Sequence, residues 1–453
     1  MSVHIIRKGL DIPLAGEARP EMETLSPPST YALRTADIIG HKFKVMVEEG
    51  ESVKPGQPLC RLRQFPDVIF RTPNSGTIRD IRRGDRRALH EIVIDPDIHN
   101  QPDDLRIADP VDPETAEPDV LRTHLLQSGL WSLIIQRPLS KIANPEAKPV
   151  ALFINAMATA PLAAQSHILL KDREQDLAVG VSALSKLCSG TTYCSVHRDS
   201  PSIPGVDTLS NTEIHTFAGP HPAGSPGIQI RQIQPLKQGE TAWYVTAVDA
   251  AEIGYFLRTG CLPHMRIIAL AGPEVSKPAY YQVRSGAALD TILDSRLSDN
   301  NEIRIINGDV LAGSKMNRTD HIAPAQSTLT VVPEGVTRDF MGWGMPGFKR
   351  YSALRTFASS LLPRRKHALD TRLHGGFRPI ISIGQWEKVL PIDIHLTYLI
   401  RAIQAGDIQE AIELGLLELS EEDIALCAFI DPSKTDVCGI IRNGLDLYET
   451  EYL

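Results

Sequence analysis

The sequence predicts a multidomain α+β chain, and three contrasts along its 453 residues predict it. Between Tyr31 and Ile94 every signal is β: alternating apolar residues, with turns at EEGE, KPGQ and PNSG. From Leu130 to about Ala271, short apolar strand-like runs alternate with stretches of helical spacing, the pattern of an α/β layer. From Gly375 to Leu453 only helical spacing is left. A chain of this length has room for about three or four domains of typical size, and so for a large buried core.

Composition narrows the class. Apolar residues make up 42% and charged residues 23%, ordinary values for a chain that folds. A net charge of −8 argues against nucleic acid as a partner, although Arg82, Arg83, Arg86 and Arg87 form a local basic patch, as do Arg364, Arg365 and Lys366. Six cysteines are scattered without C-x-x-C or metal-ligand spacing, which fits structural thiols in a reducing compartment. The opening MSVHIIRKGLDIP has no apolar core of signal-peptide length, and no run of some eighteen apolar residues occurs. The expectation is a cytoplasmic protein whose link to a membrane runs through a partner.

Taken in order, residues 1–26 give a strand-like opening, HIIRKGLDIPL, closed by Gly16 and followed by a Pro/Glu-rich connector. Residues 27–100 hold the β module. Its string VEEGESVKPGQPLCRLRQFPDVIFRTPNSGTIRDI resembles the biotinyl/lipoyl-like barrel-sandwich, whose two halves pair G-x-x-V-x-x-G-Q-x-L with P-x-x-G-x-I. Carrier domains of that type bear their prosthetic group on a lysine between the halves. Here the hairpin reads Gln64, Phe65, Pro66 and Asp67, so a structural or docking role is expected rather than a swinging arm. Residues 101–118, rich in Pro and Asp, read as a surface linker.

Residues 119–271 form the α/β Rossmann-like layer. EPDVLRTHLLQSG reads as a short helix capped by Asp119 and ended by Gly129. LWSLII, PVALFINA, TYCSVH, TEIHTF, AWYVTAV and RIIALAG are its candidate strands; REQDLAVGVSALSKL and DAAEIGYFLRTG are its helices. At the start of this layer the flavin subunits of respiratory complex I carry a G-x-G-G-A-G-F-P turn that approaches the FMN phosphate. This chain has SGLWSLIIQRPLSK instead, with no glycine from Ser132 to Gln136 and with branched Ile134 and Ile135 where close backbone approach would be needed. Met157 to Ala160 carry no carboxylate where those relatives are acidic, and no G-x-G-x-x-G follows a strand. A bound flavin or NADH is therefore not expected. His215 and His221 flank a Gly-Pro turn without a third ligand at convincing spacing and read as loop histidines before a metal site.

Residues 272–335 resemble a β-grasp module, with turns at Asn307-Gly308-Asp309 and Ala312-Gly313. Residues 336–374 form an aromatic and basic connector. Phe340, Trp343, Phe348 and Tyr351 sit among Gly and Pro, a mixture that suits an interface as well as it suits a loop tucked into the chain's own core. Residues 375–453 form the helical tail. IISIGQWEKVLP and EEDIALCAFIDPS each keep the frame C-x-x-C-G-x-C-x-x-x-C-P of cluster-binding ferredoxins. Ile380, Ile383, Trp386 and Leu390, then Glu421, Ile424, Cys427 and Asp431, stand in the ligand slots. One match would be ordinary helix punctuation; two in tandem read as a helical ferredoxin-like bundle lacking cluster ligands. Ser420-Glu421-Glu422-Asp423 opens one helix as a capping box, and Pro432-Ser433 starts the last segment.

The order of modules, together with the strings RKGLDIPLAG, SGTIRDIRRGDRRALHEIVI, SGLWSLIIQRPLSK, HTFAGPHPAGSPG, INGDVLAG, IDPSKTDV and IRNGLDLYE, resembles the A-subunit family of Na⁺-translocating NADH:quinone reductases over essentially the whole chain. That family is similar in architecture to the C subunit of the Rnf complex and to the flavin subunit of complex I. The resemblance implies a peripheral subunit on the cytoplasmic side of the cell membrane, within a translocase that oxidises NADH, reduces ubiquinone and exports Na⁺. It implies docking on the other subunits, the membrane B subunit above all, and no catalysis by this chain alone. It also implies no cofactor on this chain, with NADH, flavins, Fe–S clusters and ubiquinone used on other subunits, and ubiquinone itself a candidate ligand. Ile135, Arg137, Pro138, Leu139 and Lys141, with Phe340, Trp343, Phe348 and Tyr351, are the expected quinone-proximal or interface residues; no catalytic or metal-binding residue is expected. A soluble flavin or Fe–S oxidoreductase, and a non-catalytic ligand-binding or scaffold protein, are the alternatives.

Overall fold

The computed structural model describes residues 2–97, 106–200, 203, 205–298, 302–335, 344–348, 350–362, 365–381 and 383–453. The chain opens with two short strands, β1 (Ser2–Ile5) and β2 (Arg19–Thr24), that serve other domains. Seven strands then build the first module: β3 (Tyr31–Arg34), β4 (Phe43–Val45), β5 (Ser52–Val53), β6 (Pro58–Leu62), β7 (Ile69–Arg71), β8 (Gly76–Arg83) and β9 (Leu89–Pro96). They form two sheets, ordered β3-β9-β8-β5 and β4-β6-β7. Val53, Leu59, Leu62, Phe70, Ile78 and Ile92 meet in one shared core, with a register shift in β6 at Leu59. In the β6–β7 hairpin Gln64, Pro66 and Asp67 are exposed.

The next domain comprises α1 (Pro118–Ser128), β10 (Ile135–Arg137), β11 (Lys141–Ile142), β12 (Ala151–Asn155), α2 (Ser166–Leu169), α3 (Glu174–Leu187), β13 (Thr191–His197), β14 (Thr212–Ala218), α4 (Pro226–Ile233), β15 (Ala242–Thr246) and α5 (Ala247–Thr259). Glu117 takes the cap position of α1, so Asp119, expected there, lies inside the first turn, where its charge suits the helix dipole. Gly129, at φ 89°, ends the helix as its position suggests. The sheet is ordered β1-β14-β13-β12-β15-β10-β11. Its first five strands are parallel, and β10 and β11 run antiparallel at one edge. Leu152, Ile154, Trp243 and Val245 face α3 and α5, while Ala151, Phe153 and Ala242 face α4. Helices α3 and α5 cross at glycines: a β-carbon on Gly180 would stand 1.8 Å from the Ala250 carbonyl oxygen, and one on Gly254 1.7 Å from that of Asp176.

The third unit contains β16 (Met265–Ala271), β17 (Ala279–Arg284), α6 (Leu289–Leu293), β18 (Ile303–Asn307), β19 (Ser314–Met316) and β20 (Thr328–Pro333). Its sheet is ordered β19-β18-β20-β16-β17-β2. Two expectations change here. RIIALAG, assigned to the α/β layer, is β16 of this second sheet, because β15 already has β12 on one side and β10 on the other and offers no edge. The connector after Gly16 contains β2, paired in parallel with β17; every residue of β2 is exposed, so it has no apolar alternation to betray it.

Five helices close the chain: α7 (Trp386–Val389), α8 (Leu396–Ala405), α9 (Ile408–Glu413), α10 (Glu421–Ile430) and α11 (Val437–Tyr452). Gly406 at φ 77° ends α8, and the Asp407 carboxylate accepts from the Glu410 amide to start α9. The last helix starts at Val437 behind an Asp436 cap, four residues beyond the expected Pro432-Ser433 start. The bundle packs on the α4 face of the large sheet, joining Leu399, Ile403, Ile424 and Leu445 to Met157, Phe217 and Ile228 in one core. Trp386 and Leu390 belong to that core, each contributing about 1.5–3 kcal/mol by burial, whereas Ile383 is exposed. Among the described residues no helix is long and apolar enough to cross a membrane.

Candidate functional site between the sheet and the carboxyl-terminal helices

Antiparallel pairing sets Ile135 opposite Tyr244 and Arg137 opposite Ala242, so Ile135, Arg137 and Tyr244 share the sheet face that receives the terminal helices. Arg137 is buried there. Its Nη1 and Nη2 each donate to Asp423 Oδ2 at 3.1 Å, Nη2 donates to the Glu418 carbonyl at 3.0 Å, and Nη1 to Ser140 Oγ at 3.2 Å. The same Asp423 oxygen accepts from the Ser420 amide at 2.9 Å and from Ser420 Oγ at 2.8 Å, closing the capping box of α10. One carboxylate oxygen therefore serves a helix cap and an interdomain ion pair together.

That carboxylate also lies against the start of α4. A β-carbon on Gly227 would be 2.1 Å from Asp423 Oδ2, so glycine is what lets the helix start approach. The Asp423 carboxylate thus packs against the first turn of α4, the end of a helix that carries free amides. Beside it, the Tyr244 hydroxyl donates to Glu422 Oε1 at 3.3 Å. Burial, then the neighbouring Asp423 charge, raises the Glu422 carboxyl to about 7, against the opposing pull of Arg137. Burial, then Glu422, also pushes the Tyr244 phenol well above its ordinary value. On the rim, Arg231 pairs with Glu418 at 2.7 Å.

The other candidates on this hairpin meet α11. Lys141 Nζ lies 2.9 Å from Asp446 Oδ1 and 2.6 Å from Glu449 Oε2. The Leu139 carbonyl accepts from Arg442 Nη1 at 2.9 Å, and Arg442 is in turn forked onto Glu421. Pro138 and Leu139 are buried and Ile135 is half-buried. Both cations of the hairpin, Arg137 and Lys141, are thus paired to the terminal helices.

At the carboxyl ends of the parallel strands the order reverses beside β12, the place where open α/β sheets take ligands. Asn155, the last residue of β12, donates from Nδ2 to the Gly224 carbonyl at 2.8 Å and accepts at Oδ1 from Gln229 Nε2 at 3.2 Å. The 219–225 loop is thereby tied across the strand ends, and Thr159 Oγ1 takes the Gly224 amide at 2.9 Å.

Three family models match successive parts of the chain: the NqrA N-terminal barrel-sandwich hybrid domain over residues 4–97, the NqrA second alpha/beta domain over 116–262, and the NQRA C-terminal domain over 267–318. The A subunit of the Na⁺-translocating NADH-quinone reductase of Rhodopirellula baltica is 37% identical over 462 residues, covering 99% of each chain. Those of Yersinia pestis and Histophilus somni are 36% and 35% identical, each covering 98% of this chain and 99% of the relative. The chain belongs to the A-subunit family of Na⁺-translocating NADH-quinone reductases. A crystal structure of an NAD⁺-reducing [NiFe]-hydrogenase covers 76% of the chain at 14% identity and a TM-score of 0.39, a likeness too loose to argue from.

Against this A-subunit framework, the aromatic candidates divide. Phe340 and Trp343 lie outside the described residues. Phe348 is 64% exposed, while the Tyr351 ring stacks 6.5 Å from Phe429 on α10 and lies 5.8 Å from His367. Helix α10 keeps the two candidate groups apart. Its first turn meets Arg137 and its last meets Tyr351, about 9 Å along the axis at 1.5 Å per residue. His215 Nδ1 sits 2.9 Å from His4 Nε2, and His221 Nδ1 sits 3.2 Å from Thr159 Oγ1. Among the described residues no group of three His, Cys, Asp or Glu is placed to hold a metal. Asp423, Glu422, Tyr244 and Glu418 are not among the site residues that the sequence singles out; the one sequence signal at this position is the capping box.

Proposed function

We propose that this chain is the peripheral subunit of a Na⁺-pumping NADH:ubiquinone reductase, docked on the membrane subunits from the cytoplasmic side and not catalytic alone. The observation that carries the reading is 37% identity to the A subunit of such a reductase over 99% of both chains. In this reading the redox groups that handle NADH and electrons, flavins and Fe–S clusters, sit on other subunits, and this chain shapes the side where ubiquinone is reduced. The six-stranded sheet is a β-grasp module and the terminal bundle a ferredoxin-like unit in which Trp386, Leu390, Ile424 and Cys427 fill the core from former ligand slots. Support comes from Arg137 and Asp423: they commit the sheet face to the chain's own helices, as a scaffold would.

The surface assigned to docking is the 344–383 segment, where Met345, Phe348, Leu361 and Phe377 are exposed near Arg350, Arg365 and Lys366. The membrane B subunit is its partner, and the Ile135–Lys141 hairpin with the 340–351 aromatics borders the quinone side. The test is co-expression of the whole complex with an affinity tag on this chain. Membrane subunits should copurify, and the isolated chain should be colourless in the visible range. A coloured chain that elutes alone would overturn the assignment. Photocrosslinking with a quinone analogue on the assembled complex checks the finer point; label reaching neither segment would remove it.

A further inference from the structure

A cavity of about 110 Å³ opens where β6, β7, the turn after α1 and the residues following β17 meet. Leu59, Phe70, Leu133 and Leu262 line it, which makes most of its wall apolar. In size it approaches the ~150 Å³ engineered cavity that accepts benzene, so its body is that of a single ring.

Its polar groups do not form a closed set. Arg71 donates from Nη1 to the Gly56 carbonyl at 2.6 Å and from Nε to the Gln127 carbonyl. Both partners are neutral, and among the described residues no carboxylate pairs with Arg71. Arg71 is half-buried, and that burial pulls its pKa down. Arg266 and Glu252, also in the wall, are satisfied elsewhere: Arg266 by Asp249 at 3.3 Å and Glu252 by Arg173 at 2.8 Å. Two further lining residues, Tyr31 and Asn74, are almost fully buried, and Tyr31 Oη and Asn74 Oδ1 have no hydrogen-bond partner. Buried polar atoms without partners are uncommon in folded proteins and mark places where something else supplies the bond.

We propose that this cavity is a binding site for a small monocarboxylate with a ring-sized apolar body and a hydroxyl group. The carboxylate takes the open side of the Arg71 guanidinium, the ring fills the space between Leu59, Phe70 and Leu133, and the hydroxyl donates to Asn74 Oδ1. A neutral ring of the same shape would leave the arginine uncompensated, so charge is the specificity element. The site lies at the junction of three domains, neither Arg137 nor Asp423 lines it, and it stands whether or not the proposed docking is right.

The probe is 3-hydroxybenzoate, titrated against the full chain by calorimetry, with 3-hydroxybenzamide as the neutral match. Saturable binding of the acid, at least about tenfold tighter than the amide, is expected, as is a loss of about tenfold or more in Arg71→Gln, the scale of one charge-assisted hydrogen bond. Arg71→Lys, which keeps the charge, should retain most of the affinity. Equal binding of acid and amide, no saturable binding of the acid at millimolar concentration, or undiminished binding in a folded Arg71→Gln variant would each overturn the proposal. Should Arg71→Gln not fold, the acid–amide comparison on the unaltered chain decides it.

Discussion

Arg137 and Asp423 stand 286 residues apart in the chain, yet both terminal guanidinium nitrogens of one reach the same carboxylate oxygen of the other, with both side chains buried. The pair couples the edge of the large sheet to the first turn of α10. Removing one partner strands the other charge in a place that cannot hydrate it. Asp423→Ala should therefore destabilise the chain by about 3–5 kcal/mol. Chemical denaturation measures this, and in a double-mutant cycle Arg137→Met should recover part of the loss, since it removes the orphaned charge.

The neighbouring Glu422 carboxyl sets a pH dependence. Its folded value, about 7, lies above its ordinary 4.5, because burial and Asp423 disfavour the charged form more than Arg137 helps it. A raised value means the folded state holds the proton more tightly. The stabilising contribution is complete below about pH 4.5 and disappears as pH rises through about 7. Glu422→Gln, which stays neutral and can still accept from Tyr244, should flatten the melting temperature between those limits and raise it at pH 8. Melting curves at several pH values check this; equal slopes for both proteins would refute it.

The α3–α5 crossing offers a packing test. Gly180→Ala or Gly254→Ala would place a methyl group under 2 Å from a backbone carbonyl on the facing helix, and the helices must separate. The expected loss is about 1–3 kcal/mol for each. Urea denaturation gives the number, and an unchanged midpoint would mean that the helices do not meet there.

Lys141 predicts a smaller, local effect. Its carboxylate partners, Asp446 and Glu449, are 47% and 32% exposed at their side chains, so solvent screens the attraction. Lys141→Gln should change global stability by about 1 kcal/mol or less. It should nevertheless speed amide exchange over the last two turns of α11, which mass spectrometry of hydrogen exchange resolves by peptide.

What could be read from the residues, and what could not, follows from sequence distance. Helices α3, α5 and α8 announce themselves because their apolar spacing and their caps are local, as with Gly406 and Asp407 between α8 and α9. Asp423 is visible as the third residue of a helix, since Ser420 lies close by, but nothing near it points to Arg137. RIIALAG reads as a strand in either sheet; which sheet it joins depends on β10 having occupied the edge beside β15. Strand β2 has no buried face, and hence no pattern to find. The Ile135–Lys141 hairpin is legible as a departure from a glycine-rich turn, whereas the partners that neutralise Arg137 and Lys141 lie about 300 residues downstream.

The first strand has a consequence for synthesis. Val3 and Ile5 find their backbone partners in Thr216 and Ala218, and β2 pairs with β17 from Ala279 onward. A ribosome adding about 5–20 residues per second needs roughly 10–40 s to make the 210-odd residues between β1 and its partner. Through that interval the leading segment trails with the backbone groups of β1 unpaired. It joins the large sheet once β14 is made, ahead of β15, and until then a nascent-chain chaperone can reach it.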